Sequence, residues 1–129
     1  VLGAGDTTLI QSETALNNLG AVLSDVTEIS LPAGWYSFHS RCGILVPITA
    51  GLPPNTTFVS LEIHVNGSRV DRSQSVINRR FETLEAVTLS STIPIVISEG
   101  DVVTQVLVHD SDSNVTLLAD RSLLTVHRI

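Results

Sequence analysis

The predicted fold rests on residues 93–109, which read Ile-Pro-Ile-Val-Ile-Ser-Glu-Gly-Asp-Val-Val-Thr-Gln-Val-Leu-Val-His. Two runs rich in Val and Ile lie on either side of Glu99-Gly100-Asp101. β-Branched residues favour the pleated backbone of a strand, while Gly and Asp tolerate the geometry of a tight turn. The stretch therefore predicts two strands joined as a β-hairpin.

The second of these strands is apolar on both faces. Alternation places Val102, Val106 and Val108 on one face and Val103 and Leu107 on the other. A strand in an antiparallel sheet normally turns one polar face toward water, so two apolar faces indicate a second buried surface. We predict that these five residues lie at a subunit interface.

The composition is that of one globular domain. The chain has 129 residues, 43% of them hydrophobic and 16% charged, and its formal net charge is -6. A negative charge argues against a nucleic-acid-binding surface, which needs cationic groups to displace counterions from phosphates. The longest apolar run, residues 43–52, falls far short of the roughly 20 residues that span a bilayer, so we expect no membrane insertion.

Alternation along the rest of the chain predicts an all-β fold without helices. Residues 1–20 have no sustained period and are interpreted as an N-terminal arm with one short strand near residues 8–11, and residues 21–129 as the folded domain. Asn66-Gly67 is a strong signal for a tight hairpin. Further strands are predicted at residues 22–31, 35–48, 58–65, 86–89, 115–118 and 122–129, with one more inside 69–85.

Four short motifs occur in a characteristic order within residues 31–129. They are residues 34–38 (Gly-Trp-Tyr-Ser-Phe), 59–67 (Val-Ser-Leu-Glu-Ile-His-Val-Asn-Gly), 99–103 (Glu-Gly-Asp-Val-Val) and an apolar strand at the C-terminus. In this order they resemble the C1q/TNF-like jelly roll. The resemblance implies an antiparallel sandwich of ten strands that assembles as a trimer, with the strand after Gly100-Asp101 near the threefold axis.

Two departures from the family pattern indicate a remote microbial or phage-type member. The N-terminal Ala-Phe-Ser type strand is not visible, and Leu123-Leu124-Thr125-Val126 replaces the closing aromatic Phe-x-Gly-Phe pattern. Aromatic residues make up only 4% of the chain. Similar domains occur at the tips of phage fibres and on virion surfaces, and we expect this chain there.

The sequence offers little for catalysis or metal binding. It has no Gly-x-Ser-x-Gly elbow and no His-Glu-x-x-His pair, and its single cysteine, Cys42, falls on the predicted buried face of its strand. The four histidines lie on separate predicted strands without ligand spacing: His39, His64, His109 and His127. We therefore predict no enzyme, no zinc site and no cofactor.

A calcium loop is only partly matched at residues 110–114. Asp110, Asp112 and Asn114 have the spacing of its start, but Val115 and Arg121 stand where an EF-hand needs Gly and a bidentate Glu. A solvated turn is the favoured reading, and calcium of another type at Asp110 and Asp112 stays open.

Four arginines give residues 69–80 a local positive charge: Arg69, Arg72, Arg79 and Arg80. Guanidinium groups bind carboxylates and phosphates in a bidentate manner, so this cluster is the predicted ligand site for an anionic glycan. The alternative is a solvated hairpin flank that offsets acidic charge nearby. Three glycosylation sequons, which begin at Asn55, Asn66 and Asn114, matter only if a eukaryote secretes the protein.

These observations predict a non-enzymatic structural and binding module of a virion surface. The chain would be the trimeric head of a phage tail fibre or a capsid decoration protein, and its partners would be other virion proteins or a host-surface glycan. The alternatives are a secreted C1q-like recognition protein and, third, a cupin-like enzyme.

Overall fold

The computed structural model describes residues 5–8, 22–24 and 28–129, and in this part of the chain it contains strands and no helix. The predicted all-β class is confirmed. The strands are β1 (Gly5–Thr8), β2 (Val22–Ser24), β3 (Glu28–Ser30), β4 (Gly34–Val46), β5 (Thr57–Val65), β6 (Ser68–Arg69), β7 (Ser75–Arg79), β8 (Glu85–Ile97), β9 (Val103–His109) and β10 (Thr116–Arg128). No helix in the described ranges is long and apolar enough to cross a membrane.

The strands form two antiparallel sheets that face each other as a sandwich. The larger sheet has the order β2-β3-β9-β5-β6, with β1 also on β9 and β7 also on β5, and the smaller sheet has the order β10-β4-β8. From β7 onward the chain changes sheet at every connection, because β8 and β10 belong to one sheet and β9 to the other. Such crossing between two sheets is typical of a jelly roll.

The predicted hairpin in residues 93–109 is wrong. β8 pairs along its whole length with β4, whereas β9 pairs with β5, β3 and β1 in the opposite sheet. The turn itself exists: Asp101 N donates to Ser98 O at 3.1 Å, and Gly100 has φ +87°. Each apolar run buries one face in the core between the sheets, but the two runs belong to opposite sheets. Alternation of apolar residues is the same for two strands that pair in one sheet and for two strands that face each other across a core.

Several predicted boundaries also change. Residues 86–89 and 93–97 belong to one strand, β8, which continues through residues 90–92. Pro94 lies on the edge of the sheet, where a missing N–H is tolerated. Residues 115–118 and 122–129 join in β10 across a register shift between Leu118 and Leu123. Residues 22–24 and 28–30 are two strands, β2 and β3, that pair with each other, so the single predicted strand 22–31 is wrong. Of the predicted N-terminal strand 8–11, residues 9–11 lie outside the described residues.

The alternation in β4 and β5 is confirmed and builds the core. Inward residues from both strands are fully buried: Tyr36, Phe38, Cys42, Ile44, Val46, Val59, Leu61 and Ile63. Ile48, which was predicted to face inward with them, is 59% exposed because β4 ends at Val46. The Asn66-Gly67 hairpin between β5 and β6 is confirmed, with φ of 53° and 81° at its two turn residues.

A polar pair divides the core into two apolar clusters. Gln105 Nε2 on β9 donates to Ser40 Oγ on β4 at 2.8 Å, and both side chains are buried. One cluster contains Phe38 and Val103, and the other contains Cys42 and Leu107. The hydrogen bond therefore joins the two sheets at the boundary between the clusters.

Candidate binding surfaces

β9 divides its apolar residues between the core and the outer face of the larger sheet. Val103 and Leu107 are fully buried in the two core clusters. On the opposite face Val102 and Val108 are half-buried and Val106 is only 4% exposed. One apolar face thus serves the core of the chain itself, and for the outward valines the subunit interface stays a prediction.

A groove with a volume of about 450 Å³ follows these outward residues. It is lined by Glu28, His64, Asn66, Gly67, Val102, Thr104 and Val106. Small-molecule pockets typically span about 300–1,000 Å³ and combine an apolar lining with a few polar groups. The groove has that size and that mixture, so it can receive a small ligand or the side chains of a partner.

A buried carboxylate stands beside the groove. Glu62 Oε2 accepts a hydrogen bond from Ser60 Oγ at 2.8 Å, and Glu62 Oε1 lies 2.9 Å from His64 Nε2. Arg69 NH1 lies 3.8 Å from Glu62 Oε2. Activation of a serine nucleophile needs the histidine between the serine and the acid. Here the acid stands in the middle and Ser60 is fully buried, so the arrangement supports the sheet and does not activate a nucleophile.

Asn66 and Asp101 hydrogen-bond two turns to each other at one end of the sandwich, and this pair is named the Asn66–Asp101 clasp. Asn66 Nδ2 donates to Asp101 Oδ1 at 2.8 Å, and Val102 N donates to Asn66 Oδ1 at 2.9 Å. Asp101 Oδ2 also accepts from Ser98 N at 2.9 Å. The hydrogen bonds from the Ser98 backbone and from the Asn66 side chain lower the pKa of Asp101, because they stabilise the carboxylate. Both polar atoms of the Asn66 side chain are therefore occupied, which leaves this sequon poorly suited to carry a glycan.

The four arginines of the predicted ligand site lie in two places. Arg69 pairs opposite His64 on β5, whereas Arg79 pairs opposite Thr57, so the two are separated by seven residues of one strand, about 23 Å. Arg79 forms an ion pair with Glu85.

The other two arginines differ in how far their charge is matched. Arg80 forms an ion pair with Glu82 at 2.9 Å. Within the described ranges, no ion pair involves Arg72. Anion binding stays a prediction, and the solvated-flank alternative accounts for Arg79 and Arg80, whose charges are matched by carboxylates of the same chain.

The outer face of the smaller sheet carries exposed apolar side chains at one end. Trp35 on β4 is 56% exposed and pairs opposite Val96 on β8, which is 51% exposed. Ile129 N donates to Trp35 O at 3.0 Å, and Ile129 is also exposed. These three residues are named the Trp35 patch. Trp is enriched where protein surfaces are buried by partners.

The residues considered for chemistry are dispersed. Cys42 is buried, and this burial raises the pKa of its thiol. The histidines lie on four strands, with His39 on β4, His64 on β5, His109 on β9 and His127 on β10. In the described ranges no three His, Cys, Asp or Glu side chains are grouped to hold a metal ion.

Comparison with known proteins finds similarity among solved structures. No family model and no curated protein matches the chain. The chain is similar to the structure of Eiger TNF from S. frugiperda, with a TM-score of 0.66 and 10% sequence identity, over 97% of this chain and 85% of that chain. At this identity the match shows the fold alone, and the fold is that of the C1q/TNF-like jelly roll.

The outward position of Trp35 has a signal in the sequence. Because Tyr36 and Phe38 face inward, alternation already places Trp35 outward. The alternation of residues 58–65 also predicts Ser60, Glu62 and His64 on one face of their strand, and their hydrogen bonds confirm that they lie together. Contacts between residues far apart in the chain, such as Asn66 with Asp101, have no local signal.

Proposed function

We propose that the chain is a non-enzymatic binding and assembly module that works as a homotrimer on the surface of a virion. It would be either the head of a phage tail fibre, which attaches to the host, or a decoration protein on the capsid. The fold gives the frame for this proposal, since a jelly roll presents flat sheet faces for assembly and end loops for binding.

The exposed Trp35 patch is the observation that carries the homotrimer. A large aromatic side chain that is 56% exposed, beside two further exposed apolar residues, costs free energy in water and favours burial against a partner. Further copies of the chain are the simplest partners, because three identical patches can meet around a threefold axis. Val106 has little surface left to bury, which makes the outward row of β9 the weaker candidate for the interface.

The position of the nucleophilic groups supports a role without catalysis. The thiol of Cys42 and the hydroxyl of Ser60 are both buried. Polar groups with access to solvent line the groove and the end loops, where they can form hydrogen bonds with a ligand. We therefore assign the surfaces to binding.

The virion location rests on the sequence. The low aromatic content and the aliphatic closing strand Leu123-Leu124-Thr125-Val126 depart from the pattern of the animal complement and cytokine domains. Attachment and decoration both use many weak contacts at once, and a trimer raises avidity well above that of one contact.

Acrylamide quenching of the Trp35 fluorescence tests the interface, because Trp35 is the only tryptophan of the chain. We expect acrylamide to quench it weakly in the assembled protein and more strongly after dilution or in Val96→Ser, which removes its cross-strand neighbour. Val76→Ser is the matched control, because Val76 is 47% exposed on β7 of the other sheet, and it should leave the quenching unchanged. Equally strong quenching in the wild type at all concentrations and in denaturant would contradict an interface at the Trp35 patch.

An antibody against the chain tests the location. It should label the surface of purified virions, at the fibre tips or over the capsid. Particles that lack the chain, together with recovery of the chain with occupied sequons from culture medium, would contradict the virion role and support the secreted alternative.

A further inference from the structure

We propose that a polar cavity at the end of the sandwich opposite the Asn66–Asp101 clasp binds one neutral saccharide unit of a surface polymer. The cavity lies between the β4–β5 loop, residues 47–56, and the β9–β10 loop, residues 110–115. This site deepens the proposed attachment function and rests on it.

The cavity is small and almost entirely polar. Its volume is about 180 Å³, below the roughly 300–1,000 Å³ of pockets for drug-sized ligands, which limits it to a group of about the size of a single sugar ring. Hydroxyl, amide and carboxylate groups converge in it from both loops: Thr49, Asn55, Thr56, Asp110, Ser111 and Asp112.

Several oxygens in this cavity are available to a ligand. Asp110 uses Oδ1 to accept from Phe58 N at 2.7 Å, and its Oδ2 makes no further bond within the described residues. Asn55 uses Nδ2 to donate to Ala50 O at 3.3 Å, which leaves its amide oxygen to accept. Asp112 is exposed and has no hydrogen bond or ion pair in the described part of the chain. Together these groups can accept hydrogen bonds from neighbouring hydroxyls of a sugar.

The β4–β5 loop is held in place by Arg80. Its NH2 donates to Gly51 O at 2.7 Å and its NH1 to Asn55 O at 3.4 Å. Phe81 N donates to Thr49 Oγ1 at 2.8 Å, and Thr49 N donates to Phe81 O at 2.9 Å. A loop that is fixed before binding loses little conformational entropy on binding, which favours a weak polar ligand.

The charge of the lining selects a neutral ligand. Among the described residues that line the cavity, the charged ones are Asp110 and Asp112, and the nearby Arg80 is already paired with Glu82, so an anionic sugar would meet two carboxylates. A calcium ion needs six to eight oxygen ligands, and one of the two carboxylates already binds a backbone amide. Sugar hydroxyls, in contrast, donate well to carboxylates and accept from Thr and Ser hydroxyls.

Amide-resolved NMR of the full chain tests the site. The probes are the methyl glycosides of glucose, galactose and mannose, and N-acetylglucosamine, each titrated separately, with N-acetylneuraminic acid and calcium chloride titrated in parallel. We expect at least one neutral probe to give saturable shifts confined to the two loops. Failure of all four neutral probes would overturn the proposal, as would saturable shifts at Asp110 and Asp112 with calcium alone.

Two variants that each remove one carboxylate test whether probe binding depends on the cavity. Asp112→Ala should weaken binding of the active probe by about tenfold, because a charged acceptor is lost. Asp71→Ala removes an exposed carboxylate outside the cavity and should leave the affinity unchanged. Equal affinities in both variants would overturn the site.

The native mass distinguishes this inference from the proposed assembly. Trimers that bind no neutral probe would contradict the saccharide site and leave the assembly intact. Monomers that bind the probe through Asp112 would contradict the assembly and leave the saccharide site intact.

Discussion

The hydrogen bond between Gln105 and Ser40 is the sharpest test of how the two sheets are joined. Gln105 Nε2 lies 2.8 Å from Ser40 Oγ, and the two side chains are 2% and 0% exposed. Ser40→Ala leaves the buried amide without this acceptor, and Gln105→Met leaves the buried hydroxyl without its donor. Each single variant should lower the free energy of unfolding by about 1–3 kcal/mol.

The double variant should cost less than the sum of the two single variants. Removal of both polar partners leaves neither one unsatisfied, and Met has nearly the length and shape of Gln. We expect a coupling free energy of about 1–2 kcal/mol from the complete cycle. Ser90→Ala is the control, because Ser90 is an exposed serine on β8, and its effect should stay within about 0.5 kcal/mol.

Urea denaturation at one fixed protein concentration measures the cycle, since the stability of an oligomer depends on concentration. The slope of the free energy against urea should stay constant across the four proteins. Additive costs with a coupling near zero would refute the reasoning, because they would mean that the two side chains do not bond across the core.

Three other variants test separate contacts. The pKa of Asp101 is lower in the folded chain, so its ionised form stabilises the fold above the usual Asp pKa of about 4, and this contribution is lost as the pH falls through the folded pKa. Asp101→Asn should therefore make the free energy of unfolding depend less on pH in the acid range. An unchanged dependence would contradict the hydrogen bonds of Asp101. A β-carbon at Gly43 would lie 2.6 Å from Arg121 Cβ, so Gly43→Ala should lower the free energy of unfolding by about 1–3 kcal/mol. An unchanged urea midpoint would contradict the packing of Arg121 against Gly43 at the register shift of β10. The buried thiol of Cys42 should react with a chromogenic disulfide reagent only in denaturant, while rapid reaction of the native protein would contradict its burial.

The sequence predicted the fold class and the inward residues of β4 and β5 because period-2 alternation is a local signal. It failed at residues 93–109, where each run is regular but its partner strand is distant in sequence. β8 pairs with β4 although residues 47–84 lie between the two strands, and no local pattern specifies that pairing.

The binding surfaces were less predictable than the fold. Val102 and the four apolar residues of β9 were identified as apolar on two faces, but only the structure separates Val103 and Leu107, in the core, from the outward valines. The arginines looked clustered because they are close in sequence, while β5 holds Arg69 and Arg79 far apart. The polar cavity arises from two loops more than fifty residues apart, so no single segment predicts it.

The native mass of the full chain in solution, measured by light scattering, tests the proposed homotrimer most directly. We predict a mass near three times the 13.8 kDa of one chain, and a smaller mass for a Trp35→Ser variant at the same concentration. A wild-type protein of about 13.8 kDa at all accessible concentrations would contradict the homotrimer and leave the Trp35 patch to a different partner.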